Sequence, residues 1–293
     1  MINQVTRDKI DSLASEYRRL VALNKGAAKE LAISEIPEMV YNSNAIENST
    51  LTLEETEDIL VRDLIRADHK VREVYEAKNL ANAIEYLMSN TDTKMSVELI
   101  LKLHKMLLTS IRDDVAGRFR SGREWVRVGS HLGANPDFVN ELVYELAEKY
   151  NSDNGVYFLE KIACFHVEFE SIHPFTDGNG RMGRLLANEQ LDMLGLPPVI
   201  IPSKSKEREY YPAFNEYEKT GKTDKIVDLF ARLLIEALYR RITIFTAKGI
   251  IPVTDWAKSN GVSVQSAINK SIRGTIPAFR MRGHWMIDAE YKA

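Results

Sequence analysis

The sequence predicts a mainly α-helical protein with one small β-hairpin near its middle and a compact β-containing module at its C-terminal end. Three observations carry that expectation. Apolar residues recur at helical spacing in most segments; Val97, Ile100, Leu101, His104, Leu107 and Leu108 fall at i, i+3, i+4 and i+7. Phe158, Ile162, Phe165, Phe169 and Ile172 step by four, three, four and three, and Leu159 and Ala163 between them are apolar too, so this helix should be central and buried. Strand patterns occur in only two places, RFRSGREWVRVG at 118–129 and IPAFRMRGHWMID at 276–288.

The elements follow in order. Residues 1–95 read as a helical region. Asn90 to Ser96 is polar and turn-like, which places a boundary near residue 92. The 97–108 stripe leads to the first strand pattern, where Ser121-Gly122 signals a turn and Trp125, Val126 and Val128 follow. The buried helix must stop near Ile172, because His173 precedes Pro174 and a residue before proline is steered out of the α region. GRLLANEQLDMLG restarts a helix that should end at Gly195, and residues 224–245 form another long one. Thr52 and Glu55 have capping-box spacing.

Composition narrows the function classes. The 293 residues are 44% hydrophobic and 28% charged, enough for one large core with a smaller domain beside it. A net charge of −3 supplies no whole-chain attraction to nucleic acid or to an anionic membrane. The first twenty residues carry charges too frequently for a signal peptide, and no run approaches the roughly 18 apolar residues of a membrane span. A cytoplasmic protein without a membrane partner is expected. The single cysteine, Cys164, forms no internal disulfide and reads as a small buried hydrophobe.

The segment HPFTDGNGRMGR, residues 173–184, is where chemistry concentrates. Gly178 and Gly180 flank Asn179 where a loop becomes a helix, and free N–H groups at a helix N-terminus attract anions. Arg181 and Arg184 share one face of the first helical turn. Cations there oppose the helix dipole at a cost of roughly 0.3–1 kcal/mol each, which a polyphosphate removes. Asp177 is an N-cap or, beside phosphates, a natural magnesium ligand. His173, on the rim of the loop, suits a general base for a hydroxyl nucleophile, whereas His104, His131 and His166 read as structural. No GxxxxGK(S/T) loop occurs. These groups describe transfer from a nucleoside triphosphate to an alcohol.

This segment resembles the Fic signature HxFx(D/E)GNGRxxR at every fixed position. LHKMLL at 103–108, GRFRSGREWVRVG at 117–129 and EREYYPAFNEYEKTG at 207–221 resemble other segments of the Fic core, a helical bundle with a β-hairpin flap, which would span 96–245. The resemblance implies transfer of AMP from ATP to Ser, Thr or Tyr hydroxyls of a protein target, with automodification and a homodimer also open. It implies His173 as the base, Asp177 as the ligand of Mg²⁺ (or Mn²⁺), Gly178, Asn179 and Gly180 as the anion hole, and Arg181 and Arg184 on the β- and γ-phosphates. Tyr210 and Tyr211 would flank the nucleotide, and the flap centred on Val126 would cover it and dock an extended target segment. Glu218 leaves nucleotide choice open, with UMP or phosphocholine transfer as a further reading.

Ser43 to Asn48 also fits (S/T)xxxE(G/N), the pattern of the inhibitory helix of regulated Fic proteins, which the resemblance places at about 36–48. The resemblance implies that Ser43, Glu47 and Asn48 are regulatory, with Glu47 blocking Arg184 and also serving removal of AMP; a capping box at Asn44 and Glu47 is the plainer alternative. Residues 250–293 read as helix, stop at Gly261, Ser263 cap, helix, stop at Gly274 and hairpin at Arg282-Gly283, and resemble a winged helix-turn-helix. This tail has six basic residues (Lys258, Lys270, Arg273, Arg280, Arg282, Lys292) against Asp255, Asp288 and Glu290. Gln265, Ser266, Asn269 and Lys270 would face DNA or a protein. The competing function is a DNA-binding regulator that uses the Fic core as a nucleotide sensor.

Overall fold

A computed structural model describes residues 2–90, 94–128, 131–153 and 155–292. The helices are α1 (Gln4–Leu23), α2 (Lys25–Ile46), α3 (Leu53–Val61), α4 (Val71–Ser89), α5 (Val97–Leu108), α6 (Val139–Ser152), α7 (Phe158–Ile172), α8 (Asn179–Asp192), α9 (Tyr211–Thr220), α10 (Asp224–Thr246), α11 (Val253–Ser259) and α12 (Val264–Ile272). Strands β1 (Arg127–Val128) and β2 (His131–Leu132) pair antiparallel, and β3 (Ile250–Pro252), β4 (Phe279–Met281) and β5 (His284–Asp288) form a sheet in the order β3-β5-β4. The mainly helical class is as expected. The expected boundary near residue 92 lies outside the described residues.

α7 is the spine of the fold. One face, with Phe165 and Phe169, joins a core shared with α2, α4, α5 and α6; the other, with Leu159, Ile162, Ala163 and Val167, joins a core shared with α1, α8 and α10. Its steps of three and four therefore serve two cores at once. α7 ends at Ile172, and His173 follows in the left-handed region at φ 52°, ψ 63°. The proline rule set the stop, and the left-handed turn reverses the chain into the loop before α8.

Some elements differ from expectation. The helix expected at 36–48 opens at Lys25 and passes through Pro37, so that proline does not begin it; α4, α8 and α10 pack around the helix and hold it. Asn44 lies inside α2, which removes the capping-box alternative for Asn44 and Glu47. Of the first strand pattern only Arg127–Val128 is ladder among the described residues; Gly122 makes a separate turn at φ 57°, and Trp125 precedes the strand. The last regular residue of α8 is Asp192, and Gly195 closes its C-terminus as expected, at φ 63° with Leu196 N–H donating to Leu191 C=O at 3.0 Å; the Ser263 hydroxyl does not cap α12. The Thr52–Glu55 capping box is present, with both reciprocal bonds. Cys164 is half-buried; its thiol donates to Glu168 at 3.1 Å, and burial pushes its pKa up to about 12.

The C-terminal module has its own core of Val253, Trp256, Ala257, Ala267, Ile276, Ala278 and Ile287. Its β4–β5 turn has φ 51° at Arg282 and 83° at Gly283, the positive pair a two-residue hairpin needs. Arg280 forks onto Glu236 of α10 at 2.8 and 2.6 Å, and Arg282 pairs with Glu57 of α3.

Glu35 of α2 is 4% exposed and is shared by Arg241 and by Arg240, the latter at 2.9 Å. Removing one member of a buried charge cluster leaves the others uncompensated. Glu35→Ala is expected to lower unfolding free energy by about 3–5 kcal/mol, read from urea denaturation.

Candidate active site

Three elements converge at the N-terminus of α8. Gly178 holds φ 82° as its N-cap, a conformation that suits glycine, with Leu108 packed where a side chain would stand. Asn179, 3% exposed, accepts from Phe175 N–H and donates to Phe175 C=O, both at 2.8 Å, closing the loop on itself. His104, fully buried, stacks on Phe175 with centroids 3.6 Å apart. Its Nδ1 accepts from Gly117 N–H at 3.0 Å, which assigns the proton to Nε2, and that nitrogen donates to Asp177 C=O at 3.1 Å. The structural reading of His104 holds, but what it supports is the loop.

Both arginines of the loop are buried and both are compensated. Arg184, 7% exposed, donates to Ser43 Oγ at 3.0 Å, Ser43 C=O at 2.9 Å and Glu47 Oε1 at 2.8 Å. Glu47 follows the last residue of α2 as its C-cap, and its Oε1 lies 2.2 Å from where a Cβ on Gly180 would stand. A carboxylate thus sits against the N-terminus of α8, which only a glycine at 180 permits. Burial acts to raise the Glu47 pKa, but Arg184 overrides it and the net shift is downward. Arg181, 3% exposed, meets Asp177 Oδ1 and Glu76 Oε1, each at 3.1 Å. Arg72 of α4 closes the ring, reaching Asp177 Oδ2 at 2.5 Å and Glu76 at 2.9 Å.

His173 places Nδ1 3.2 Å from Glu170 C=O, an acceptor, which assigns that nitrogen the proton and makes Nε2 the basic one. The Glu170 carboxyl lies 3.9 Å from the same nitrogen and presses on Gly183; burial pushes its pKa up to about 8. Val126 C=O accepts from Gly133 N–H at 3.1 Å, so the flap backs onto His173, whose Cβ is 3.2 Å from where a Cβ on Gly133 would stand.

The tyrosine pair divides. Tyr210 is 2% exposed, and its hydroxyl meets His166 Nε2 at 2.8 Å behind Arg184, while His166 Nδ1 meets Gly183 C=O at 3.0 Å. Tyr211 is half-buried and donates to Ile46 C=O at 3.1 Å. Asn48, at φ 68°, accepts from Lys206 at 2.8 Å, and Lys206 also donates to Ile46 C=O at 2.9 Å. The structure therefore brings Ser43, Glu47, His173, Asp177, Gly178, Asn179, Gly180, Arg181 and Arg184 together, with Val126, Tyr211 and Asn48 at the margins and Tyr210 beneath. Sequence reading missed Arg72, Glu76, Arg120, Glu170 and Lys206. Only Glu170, one helical turn before His173, had a positional signal.

A helical scaffold that presents a glycine turn with paired guanidiniums and an adjacent imidazole has the groups that suit phosphate oxygens. Residues 94–191 match the sequence model of the Fic/DOC family, and the chain carries a Fic domain. It is 32% identical over 182 residues to the protein adenylyltransferase fic-1 of Caenorhabditis elegans, covering 60% of this chain and 35% of that one. It is 29% identical over 217 residues to the protein adenylyltransferase Fic of Drosophila melanogaster, covering 72% and 44%. The chain spans less than half the length of these curated relatives. A crystal structure of a Fic-domain signalling protein from Bacteroides thetaiotaomicron superposes with a TM-score of 0.72 at 23% identity, covering 81% of this chain and 97% of that one. Fic-1 of C. elegans superposes at 0.70 with 27% identity, covering 81% and 71%.

Two buried histidines make stability pH-dependent. Burial lowers the pKa of His104 from 6.5 to about 4 and that of His166 to about 3. Unfolded imidazoles take up protons below 6.5 while the folded ones do not, so stability is complete above that pH and falls as pH drops towards 4. His104 alone accounts for roughly 3 kcal/mol of this loss. His104→Gln is expected to flatten the slope of unfolding free energy between pH 6.5 and 4, measured by urea denaturation at several pH values.

Proposed function

We propose that the protein is an adenylyltransferase that moves AMP from ATP to a Ser, Thr or Tyr hydroxyl of a protein target, and that Glu47 restrains it. The observation that carries this reading is the Arg184–Glu47 pair at 2.8 Å, because it sets a carboxylate against the glycine turn where phosphate oxygens would bind. The domain match and the names of the relatives support the activity.

In this reading His173 Nε2 takes the proton of the target hydroxyl as its oxygen attacks the α-phosphorus, and the bond to the β-phosphate oxygen breaks, releasing pyrophosphate. The N–H groups at the start of α8 receive the phosphate oxygens, and Arg181 and Arg184 hold the β- and γ-phosphates. No group of three or more His, Cys, Asp or Glu that could hold a metal occurs among the described residues. Asp177, a hard carboxylate with 22% of its side chain exposed, fits Mg²⁺ or Mn²⁺ held jointly with phosphate oxygens. Such an ion offsets phosphate charge when bound. To ligate it, Asp177 must turn an oxygen away from Arg72.

Glu47 would hold Arg184 from the γ-phosphate and so leave ATP misaligned; the same carboxylate, freed, could orient a water for removing AMP. Automodification, a homodimer and a cytoplasmic setting belong to the same reading. No helix among the described residues is long and apolar enough to cross a membrane. A second reading, a DNA-binding regulator, is favoured by Gln265, Ser266, Asn269 and Lys270, all exposed on α12 of a β3-α11-α12-β4-β5 module arranged like a winged helix. Duplex binding that weakens steeply with salt would support it.

Label transfer from α-³²P-ATP with Mg²⁺ tests the main reading. Glu47→Gly is expected to raise incorporation at least about tenfold, since loss of a charged hydrogen bond is worth about 1.5–3 kcal/mol. His173→Ala in that background should abolish it, and γ-³²P-ATP should leave no label. Incorporation from α-labelled UTP instead would redirect the reading to UMP transfer, and none from either nucleotide would favour the sensor or phosphocholine transfer.

A further inference from the structure

We infer that Arg120 is a positioning residue that locks the proposed base and the flap to one another. This rests on the reading of His173 as the base and of the flap as the dock for the target.

Arg120 is 1% exposed and forms no ion pair among the described residues; the carboxyl nearest in electrostatic reach is that of Glu124. Burial accordingly lowers its pKa, and the guanidinium is tolerated because carbonyls surround it. Nε donates to His173 C=O at 2.7 Å, Nη2 donates to Ile172 C=O at 2.9 Å and to Ala134 C=O, and its backbone N–H donates to Pro174 C=O at 3.0 Å. Ile172 and His173 supply the carbonyls at the end of α7, the negative end of its dipole, so the cation also suits the helix terminus.

Two constraints meet at this fork. His173 holds φ 52°, a left-handed conformation that is unfavourable for a residue other than glycine and persists only when its surroundings impose it. The hydrogen bond to its own carbonyl is such an imposition. Ala134, two residues beyond β2, is gripped by Nη2, the nitrogen that also holds Ile172 C=O, and returns a bond from its N–H to Ile172 C=O at 3.1 Å. Gly133 beside it is tightly enclosed: a Cβ there would stand 3.0 Å from Arg120 Nη2 and from Val126 Cγ2. One planar guanidinium thus sets both the direction of the imidazole and its distance from the edge that would present the hydroxyl. A lysine ammonium offers a single point charge and cannot span the three carbonyls with the same geometry. The phosphate-facing groups, Gly178 to Arg184, are held separately by Asn179 and His104 and do not depend on it.

The test is Arg120→Lys in the Glu47→Gly background. Affinity for α,β-methylene-ATP by calorimetry should stay within about threefold of the parent, while kcat for transfer falls about thirtyfold or more, as expected when reacting groups are displaced by an ångström. Amide hydrogen exchange at Gly133 and Ala134 should quicken about tenfold or more with α8 amides unchanged. Turnover within threefold of the parent, nucleotide affinity falling in step with kcat, or unaltered exchange at Gly133 and Ala134 overturns the inference. A Glu47→Gly parent that transfers nothing overturns the functional reading instead, and the exchange measurement then decides the role of Arg120 as a clamp by itself. Thermal melting of the lysine variant separates these outcomes from global unfolding, and exchange quickened throughout the chain also counts against the inference.

Discussion

Two guanidiniums buried at the N-terminus of a helix are the constraint around which this molecule is arranged. Arg181 and Arg184 lie at 3% and 7% exposure at the start of α8, where the helix dipole is unfavourable to cations, and a buried charge without a partner costs several kcal/mol. The chain supplies two of the three anions from its N-terminal half. Glu47 arrives at the C-terminal end of α2, Glu76 from the middle of α4, and Asp177 from the loop itself. The placement of α2 and α4 beside α8 is thus an electrostatic requirement as well as an apolar one. In the proposed reading a polyphosphate held by Arg184 must displace the Glu47 carboxylate, so ligand binding and the seating of Glu47 oppose each other at the same guanidinium.

Glycine placement enforces that competition. Gly180 admits the Glu47 carboxylate and Gly183 admits that of Glu170, each carboxylate oxygen lying within 2.3 Å of where a Cβ would stand. The two carboxyl groups approach α8 from α2 and α7, with Arg184 acting on both. They differ in state for a physical reason. Glu47 has the direct ion pair, which outweighs burial, whereas Glu170 feels burial first and its carboxyl is pushed up to about 8. A side chain at either glycine would displace a charge as well as fill a space.

How much of this was legible in the sequence depends on the range of the interaction. The stop at Ile172, the Thr52–Glu55 cap and the Arg282-Gly283 turn are decided within a few residues and could be read directly. The loop from His173 to Arg184 could be read because its residue types conflict with ordinary helix capping, and Ser43 and Glu47 only through resemblance. What stayed hidden is long-range. Arg72 meets Asp177 across 105 residues, and Arg120 meets His173 across 53, with nothing in either neighbourhood to mark a partner. The resemblance put the start of this helix at about residue 36, beside Pro37, although tertiary packing carries the helix through that proline. Tyr210 looked like a ligand-facing twin of Tyr211, yet successive side chains on a helical turn point to different sides, so one turns to the core and the other to the end of α2.

The end of α2 is fastened independently of the Arg184 pair. Lys206 caps it through Ile46 C=O and Asn48, Tyr211 adds a second bond to Ile46, and Asn42 Oδ1 accepts from Ser203 N–H at 3.0 Å. Further back, Glu35 and Glu38 bind Arg240 and Arg241 of α10. With so many anchors elsewhere, losing the Glu47 carboxylate removes one charge-assisted bond without releasing the helix, and Ser43 still occupies two nitrogens of Arg184. In the proposed reading the restraint is therefore a single carboxylate presented by a rigid support. A variant at Glu47 alters the site more than the fold, whereas a variant at Lys206 or Asn42 would loosen the support and leave the blocking group intact.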